Sequence, residues 1–217
     1  MGVTGIFEEL RKGIEAGKKL DVLEKFQNLI LLGLSVQTDF FRHAAMFGGT
    51  SLRIFHNLPR FSEDLDFTLV IQGADFSLAS YREAMSHFFA DMGLDDVKIN
   101  IKEEGEDVLR GSIVLSINRS ESLRVKIDIE RPVAGVMPRT ETLYGSYPYN
   151  YSARICTLPS SFAGKMDALI HRKWGSKRVK GRDWYDFLWY IRKGTELDIN
   201  WLEARLKAKG TLDPVEK

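Results

Sequence analysis

Two aspartates one residue apart, Asp64 and Asp66, are the feature that most constrains how this chain can fold. Residues i and i+2 of a β-strand point to the same face of the sheet. These two side chains therefore project together, while Leu65 and Phe67 point to the opposite face, toward a core. Two adjacent carboxylates repel each other unless a cation lies between them, and Mg²⁺ is typically held by one or two carboxylates plus substrate phosphates. The spacing predicts a strand with one apolar face and one cation-binding face.

Apolar residues along the rest of the chain recur at helical or at strand spacing. Helical spacing predicts helices over residues 3–16, 21–34, 37–47, 77–92, 160–174, 183–192 and 201–209. Gly48 and Gly49 are expected to end the third of these helices, and a short helix through Phe55 follows. Strand spacing predicts strands over residues 61–71, 97–101, 113–117 and 123–129, with a loop or short hairpin over 131–151.

This order of elements predicts an α+β fold. We expect a mixed sheet covered by helices, preceded by a helical N-terminal segment and followed by a helical C-terminal lobe. Because the chain has 217 residues, it is expected to form one core with an appended lobe, divided into residues 1–155 and 156–217.

A third carboxylate lies on the polar face of a later predicted strand, K-I-D-I-E. Asp128 is the candidate, and Glu130 on the same face is the alternative. If this strand neighbours the D-x-D strand, three carboxylates meet at one end of the sheet, where they could hold two divalent ions around an in-line displacement at phosphorus. The other interpretation is that D-x-D is only the solvated face of an edge strand.

Backbone N–H groups of Gly48-Gly49-Thr50-Ser51 could bind a phosphate, because glycine permits close approach and a helix N-terminus favours negative charge. No G-K-[ST] follows, so this is not a Walker A loop, and an ordinary joint between two helices is the alternative. Lys165 lies one turn inside its predicted helix. It could either extend along the apolar surface to solvent or meet a triphosphate.

Positive charge is concentrated in residues 171–182, although the net charge of the chain is only +1. This concentration favours contact with an RNA backbone or a polyphosphate over the alternative of a solvated turn. The candidate acceptor contacts are Lys177, Arg178, Lys180 and Arg182. Asp183, which follows, is either a helix N-cap or a functional carboxylate, and Asp186 one turn later is expected to pair with one of these cations.

The single cysteine, Cys156, has no partner for a disulfide, which indicates a reducing compartment and a core position. No signal peptide is recognisable, and the apolar run over residues 29–34 is too short to span a bilayer. We therefore expect a cytoplasmic protein without a membrane partner.

The segment F-G-G-T-S-L-R-x₇-F-S-E-D-L-D-F resembles the signature of the AbiEii-type nucleotidyltransferase toxins, in the polymerase-beta-like nucleotidyltransferase superfamily. The K-I-D-I-E strand, the Lys165 helix and K-G-R-D-W-Y-D-F-L-W are similar to later motifs, so the similarity covers residues 37–191. It implies a polymerase-beta-like core, an NTP substrate, Mg²⁺ or Mn²⁺, and a role in a type IV toxin–antitoxin system or in abortive infection. It also implies a cognate antitoxin, and some relatives act on tRNA.

The resemblance, together with the strand pattern, gives expected roles to individual residues. Gly49 and Thr50 match the glycine–hydroxyl pair that contacts the triphosphate, and Lys165 and Asp183 match the third and fourth motifs. The full set of expected nucleotide contacts is Gly48, Gly49, Thr50, Ser51, Arg53, Ser62 and Lys165. The expected catalytic residues are Asp64, Asp66, Asp128, Lys165 and Asp183, of which the first three are the expected metal ligands.

These observations predict a metal-dependent nucleotidyltransferase that transfers NMP from NTP to an acceptor, tRNA above all. Two alternatives stay open. The chain could be a regulatory module that binds NTP or RNA without transferring anything, or a transferase that acts on protein.

Overall fold

The architecture is that of a computed structural model, which describes residues 4–71, 76–102, 108–131, 133, 136–171 and 181–211. The helices are α1 (Thr4–Glu15), α2 (Lys19–Val36), α3 (Phe40–His43), α4 (Gly48–His56), α5 (Arg82–Asp91), α6 (Leu158–His171), α7 (Gly181–Arg192) and α8 (Ile199–Ala208), with a 3₁₀ turn at Leu78–Tyr81. The strands are β1 (Ala44–Phe47), β2 (Leu65–Leu69), β3 (Val97–Lys102), β4 (Val108–Ser116), β5 (Ser122–Glu130), β6 (Thr140–Gly145) and β7 (Tyr151–Cys156). Within these ranges, no helix is both long and apolar enough to cross a membrane.

The seven strands form one mixed sheet in the order β3-β4-β5-β2-β1-β7-β6. The D-x-D strand β2 lies at its centre, parallel to β5 and antiparallel to β1. β1 is parallel to β7, and the outer pairs β3–β4, β4–β5 and β6–β7 are antiparallel. The topology therefore places the D-x-D strand between the strand that leads into the glycine pair and the K-I-D-I-E strand.

One face of the sheet is covered by α1, α2 and α5, which form a single hydrophobic core with the strands. α2 packs between α1 and the sheet, so it is buried almost all round rather than on one stripe. Leu65, Phe67, Ile127 and Ile129 point into this core. Because strand side chains alternate between faces, the polar residues of β2 and β5 are turned to the opposite face.

The third predicted helix, residues 37–47, is wrong in its second half, where β1 replaces it. Ala44, Ala45 and Met46 are all fully buried. A strand covered on both faces shows no alternation, and a short apolar run of this kind cannot be told from a buried helix by periodicity. Consequently Gly48 and Gly49 do not end a helix; they open α4 directly after β1.

The alternative of a short hairpin near residues 131–151 is confirmed for the described part, where β6 pairs with β7. The second strand extends further than predicted, to Cys156. Tyr151, Ala153 and Ile155 are buried while Ser152 is exposed, so this strand does carry an alternating pattern. Cys156 is buried, as expected for a core residue.

The C-terminal helices attach to the core through a second, small hydrophobic cluster. Leu52 and Leu58, in and just after α4, meet Phe162 of α6 and Tyr190 of α7, whose rings stack with centroids 4.7 Å apart. The predicted α+β class, with helical segments on both sides of a mixed sheet, is confirmed. The division between residues 155 and 156 stays a prediction.

Candidate active site

A cavity of about 1000 Å³ opens on the polar face of the sheet, below the C-terminal helices. Its walls come from the end of β1, the start of α4, the strands β2 and β5, and the facing sides of α6 and α7. Sequence segments that are far apart therefore contribute to one cleft. We call this cavity the cleft below.

The three predicted carboxylates lie on the floor of the cleft. β2 and β5 are parallel, and their register pairs Asp66 directly with Asp128. Neighbouring strands are about 4.8 Å apart, so these two side chains stand next to each other on the same face. Asp64, two residues before Asp66, also lines the cleft. The sequence prediction that the two strands are neighbours is correct.

Burial raises the pKa of two of these carboxyls, and neighbouring negative charges add to the effect. Burial, then the charges of Asp64 and Asp128, raise the pKa of Asp66 to about 7, and Lys165 offsets part of this effect. The pKa of Asp64 is also raised, chiefly by burial, and Lys126 lowers it in part. Carboxylates that repel one another in this way are stabilised in their charged form when a cation binds between them.

The donor set fits a hard divalent cation such as Mg²⁺ or Mn²⁺. Among the residues that the structure describes, no three His, Cys, Asp or Glu side chains already form a closed metal-binding group. Mg²⁺ does not need one, since it is usually held by one or two carboxylates together with substrate phosphates and water. Asp64, Asp66 and Asp128 would supply the oxygen ligands.

The surroundings of Asp128 and Glu130 differ in a way that favours Asp128 as the third carboxylate. Oε2 of Glu130 accepts a hydrogen bond of 2.8 Å from Nη1 of Arg205, a buried side chain. Asp128 is 42% exposed, and its nearest cation, Nε of Arg110, is 4.0 Å away. Asp128 is thus the carboxylate with the weaker protein partner, and it alone lies in register with Asp66.

The glycine pair forms the rim of the cleft where α4 begins. Gly48 has φ +80°, and a Cβ there would lie 2.5 Å from Oδ2 of Asp66. A Cβ on Gly49 would lie 2.7 Å from Nη2 of Arg60 and 2.8 Å from Oγ of Ser62. The first N–H groups of a helix have no intrahelical acceptor, so this rim offers donors beside the carboxylates.

We expect Gly48→Ala to impair nucleotide transfer strongly and to destabilise the protein by about 1–2 kcal/mol, because it combines a left-handed backbone with a collision against Asp66. Gly17→Ala is the matched control, since Gly17 has φ +72° but a Cβ added there would meet no atom within 4 Å. In a thermal melt the control should lose similar stability. In a transfer assay it should keep full activity. Equal activities of the two variants would contradict the importance of this close approach.

Three predicted nucleotide contacts do not reach the cleft. Thr50 and Ser51 are buried, and Oγ1 of Thr50 donates to the backbone oxygen of Asp64 at 2.5 Å. Arg53 pairs instead with Glu24, Nε to Oε2 at 2.6 Å. Contact of these three residues with the nucleotide stays a prediction. In this structure Thr50 instead holds the backbone at Asp64, just before β2, and Arg53 lies on a different surface. Ser62 does line the cleft.

Lys165 is held over the cleft by two carboxylates of α7. Its Nζ lies 3.1 Å from Oδ1 of Asp183 and 2.9 Å from Oδ2 of Asp186. The side chain is only 14% exposed, so the alternative in which it extends to solvent is wrong. Asp186 is fully buried. Of the cations predicted for it, Arg182 contacts Glu63 instead, and the others lie outside the described residues.

Arg60 is a cleft residue that the sequence did not reveal. Its Nε and Nη2 donate to Oδ1 and Oδ2 of Asp186 at 2.7 and 2.6 Å, a two-pronged contact. Arg60 and Lys165 thereby share one buried carboxylate, and with Asp183 the two positive and two negative charges of this group balance. The one sequence signal for Arg60 was its place as a cation between the glycine pair and Asp64, within the same motif.

The predicted acceptor contacts Lys177, Arg178 and Lys180 lie outside the described residues. Arg182 lies at the edge of the cleft, where Nη2 contacts Oε1 of Glu63 at 2.7 Å and both side chains are exposed. Asp183 faces the cleft beside Lys165.

Comparison with known proteins agrees with this geometry. The chain matches the family model described as nucleotidyl transferase AbiEii toxin, type IV TA system, over residues 30–216. Similar solved structures include JHP933 from Helicobacter pylori, at 22% identity over 85% of this chain and 71% of that one, with a TM-score of 0.52. MenT4, a nucleotidyltransferase toxin from Mycobacterium tuberculosis H37Rv, matches at 18% identity over 95% of this chain and 70% of that one, with a TM-score of 0.57.

At these identities the two structures share the fold with this chain. A search of curated proteins finds no match. The family model, by contrast, covers most of the chain and includes every motif around the cleft. The chain therefore belongs to the AbiEii nucleotidyl transferase toxin family of type IV toxin–antitoxin systems, and it is a nucleotidyltransferase.

Proposed function

We propose that this protein transfers NMP from NTP to a hydroxyl of an RNA acceptor, tRNA above all, in a reaction that depends on a divalent metal. The observation that carries the proposal is the parallel register that sets Asp66 beside Asp128, in a cleft bordered by the N-terminus of α4 and by Lys165. Nucleotidyltransferases of this kind generally use a divalent metal, and the carboxylates of this cleft suit one.

In the proposed reaction, the acceptor hydroxyl attacks the α-phosphorus of the NTP. A new oxygen–phosphorus bond forms as the bond to the bridging oxygen breaks, and pyrophosphate leaves. Asp128 orients the hydroxyl and takes its proton. Mg²⁺ or Mn²⁺, when bound by Asp64, Asp66 and Asp128, supplies positive charge to the reacting phosphate.

The β- and γ-phosphates are assigned to the opposite wall of the cleft. Backbone N–H groups of Gly48 and Gly49 and the positive end of the α4 dipole favour the phosphates there. Ser62 adds a hydroxyl, and Lys165 adds a charge that two carboxylates fix in position. Because these donors are fixed by the fold, they stabilise the departing pyrophosphate without further rearrangement.

The physiological partner of this activity is an antitoxin, since the family is that of a toxin–antitoxin system. Family membership favours a transferase over a regulatory module that only binds NTP or RNA. A protein acceptor is the remaining alternative for the substrate.

The acceptor class can be tested with a cell extract. The purified protein is incubated with each α-³²P-labelled NTP, Mg²⁺ and the extract, and the labelled product is digested with ribonuclease or with protease. We expect label in RNA of tRNA size, sensitive only to ribonuclease, and none with the Asp66→Asn variant. Label that survives ribonuclease and is lost with protease would replace RNA by protein as the acceptor.

A further inference from the structure

The three strands on one side of the catalytic carboxylates expose a basic face that the reaction as described does not use. β3, β4 and β5 pair in a continuous register, so their outward residues form a grid. One row of the grid is Lys102, Arg110 and Asp128. The next two rows are Asn100, Ser112 and Lys126, and then Lys98, Val114 and Arg124. We call these nine positions the basic grid.

Charge on the basic grid is strongly one-sided. Its five cations are all exposed, and Asp128 is its only carboxylate. Among described residues, the only ion pair of these cations is the long contact of 4.0 Å between Arg110 and Asp128. The intervening segment 103–107, which carries four acidic residues in the sequence, lies outside the described residues.

Three arginines elsewhere in the protein differ from the grid cations, because they are paired and largely buried. Arg53, Arg60 and Arg205 each contact a carboxylate at 2.6–2.8 Å and are mostly buried. The grid cations instead stand on an open strand surface, spaced about 4.8 Å across the strands and about 7 Å along them. Like charges at this spacing repel one another where, as among the described residues, few carboxylates lie between them, so the surface gains free energy when a polyanion covers it.

The basic grid and the wall of the cleft assigned to the β- and γ-phosphates lie on opposite sides of β2. In the sheet, β5 lies on one side of β2, and β1 with the glycine pair lies on the other. Asp66, on β2, therefore lies between the grid and the assigned phosphate wall. An in-line displacement needs the attacking and leaving oxygens on opposite sides of the phosphorus, and the grid lies on the side of the attacking group.

We propose that the basic grid binds the sugar–phosphate backbone of the RNA acceptor and guides its reactive hydroxyl to Asp128. This inference rests on the proposed function in taking RNA as the acceptor. It goes beyond it by assigning the backbone to an exposed sheet face rather than to the basic segment 171–182. The open cavity of about 480 Å³ along this face leads toward Lys126 and Asp128, which also line the cleft.

The test uses the triple variant Lys98→Ala, Lys102→Ala and Arg124→Ala, which leaves Lys126 and Arg110 beside the carboxylates unchanged. Its matched control is Lys12→Ala, Lys18→Ala and Lys19→Ala, which removes the same charge from exposed positions on and near α1. Binding of total tRNA is measured by fluorescence anisotropy over a range of salt concentrations. KM values for NTP and for tRNA come from the transfer assay.

For the grid variant we expect tRNA affinity at least about 10-fold weaker at low salt. The slope of log K against log salt should become shallower by roughly 0.7–0.9 for each lost phosphate contact. The KM for tRNA should rise, while the KM for NTP stays within about twofold of wild type. The control should behave like wild type, because counterions are released only where phosphates are bound.

Two results would overturn the inference while leaving the proposed function intact. One is wild-type affinity, salt slope and KM for tRNA in the grid variant. The other is an equal effect of the grid and control variants, which would indicate only general charge attraction. Replacing Lys177, Arg178 and Lys180 by Ala provides the rival comparison, and a loss of binding confined to that variant also refutes the grid. If wild type labels no RNA at all, the proposed function itself fails.

Discussion

Replacement of Asp66 by Asn is expected to reduce nucleotide transfer by at least about 10³-fold while leaving the fold intact. Asp66 lies in register with Asp128 and two residues from Asp64. An amide at this position therefore removes the negative charge of an expected metal ligand from the centre of the cleft. Asp64→Asn should have a similar effect. Asp91→Asn, at an exposed position on α5, is the matched control and should keep full activity. Substantial transfer by either cleft variant would refute the assigned site.

The same Asp66→Asn substitution should stabilise the metal-free protein at high pH. The pKa of Asp66 is about 7 in the folded protein and 3.8 ordinarily. Between these values the folded state holds a proton that the unfolded chain has released, so the free energy of unfolding falls as pH rises through this window. Above pH 7 the full penalty is present, up to about 4 kcal/mol at about 1.4 kcal/mol per pKa unit.

Thermal or denaturant unfolding in EDTA at pH 4 and pH 8 measures this effect. The Asn variant and wild type should have similar stability at pH 4, because this lies at the lower end of the window, where the folded carboxyl is protonated and the unfolded one has only begun to lose its proton. At pH 8 the variant should be the more stable of the two. Saturating Mg²⁺ should narrow the difference by stabilising wild type only. A variant that is no more stable than wild type at pH 8 would contradict the raised pKa of Asp66 and the burial and crowding of charge that cause it.

A second large effect is expected for Lys165→Met, which should lose both activity and stability. The lysine contacts Asp183 and the fully buried Asp186. Without it, both carboxylates lose their lysine partner while Asp186 keeps its contact with Arg60. Leaving a buried charge under-compensated costs about 3 kcal/mol. The catalytic efficiency with NTP should fall by about 10²–10³-fold, as for the loss of one fixed donor to a developing charge.

The double variant Lys165→Met with Asp183→Asn separates the two roles of the lysine. Removing one of the excess carboxylates should restore much of the lost stability, measured by denaturant unfolding. It should not restore the use of NTP, because the cation assigned to the phosphates, Lys165, is still missing. Recovery of both stability and transfer in the double variant would show that Lys165 acts only in the structure.

The polar face of the site could be predicted from the sequence because local alternation encodes it directly. Asp66 and Asp128 each stand between two apolar neighbours, and Asp64 lies two residues before Asp66, so the outward face of these side chains follows from strand geometry alone. Their convergence did not follow, since it depends on the parallel pairing of β2 with β5, two strands separated by a 3₁₀ turn, α5 and two further strands. From the sequence, the three carboxylates are expected to meet only if these two strands are neighbours.

Other features of the site depend on contacts that no local pattern contains. Arg60 and Asp186 are 126 positions apart in sequence, yet they form the two-pronged contact that holds α7 beside the cleft. Thr50 is predicted as a phosphate contact because it matches the glycine–hydroxyl pair of the family. In the structure its hydroxyl donates to the backbone oxygen of Asp64, a contact 14 positions away in sequence. Burial on both faces removed the alternation that would have revealed β1.

The central claim is that this cleft transfers the nucleotidyl group, and the position of a radiolabel tests it most directly. Parallel reactions contain the protein, Mg²⁺, total tRNA and an NTP labelled with ³²P at either the α- or the γ-phosphate. The α-label should enter acid-insoluble material in wild type but not in Asp66→Asn, and the γ-label should leave as pyrophosphate in equal amount. Transfer of the γ-label to the acceptor, or release of pyrophosphate that persists in Asp66→Asn, would contradict the account.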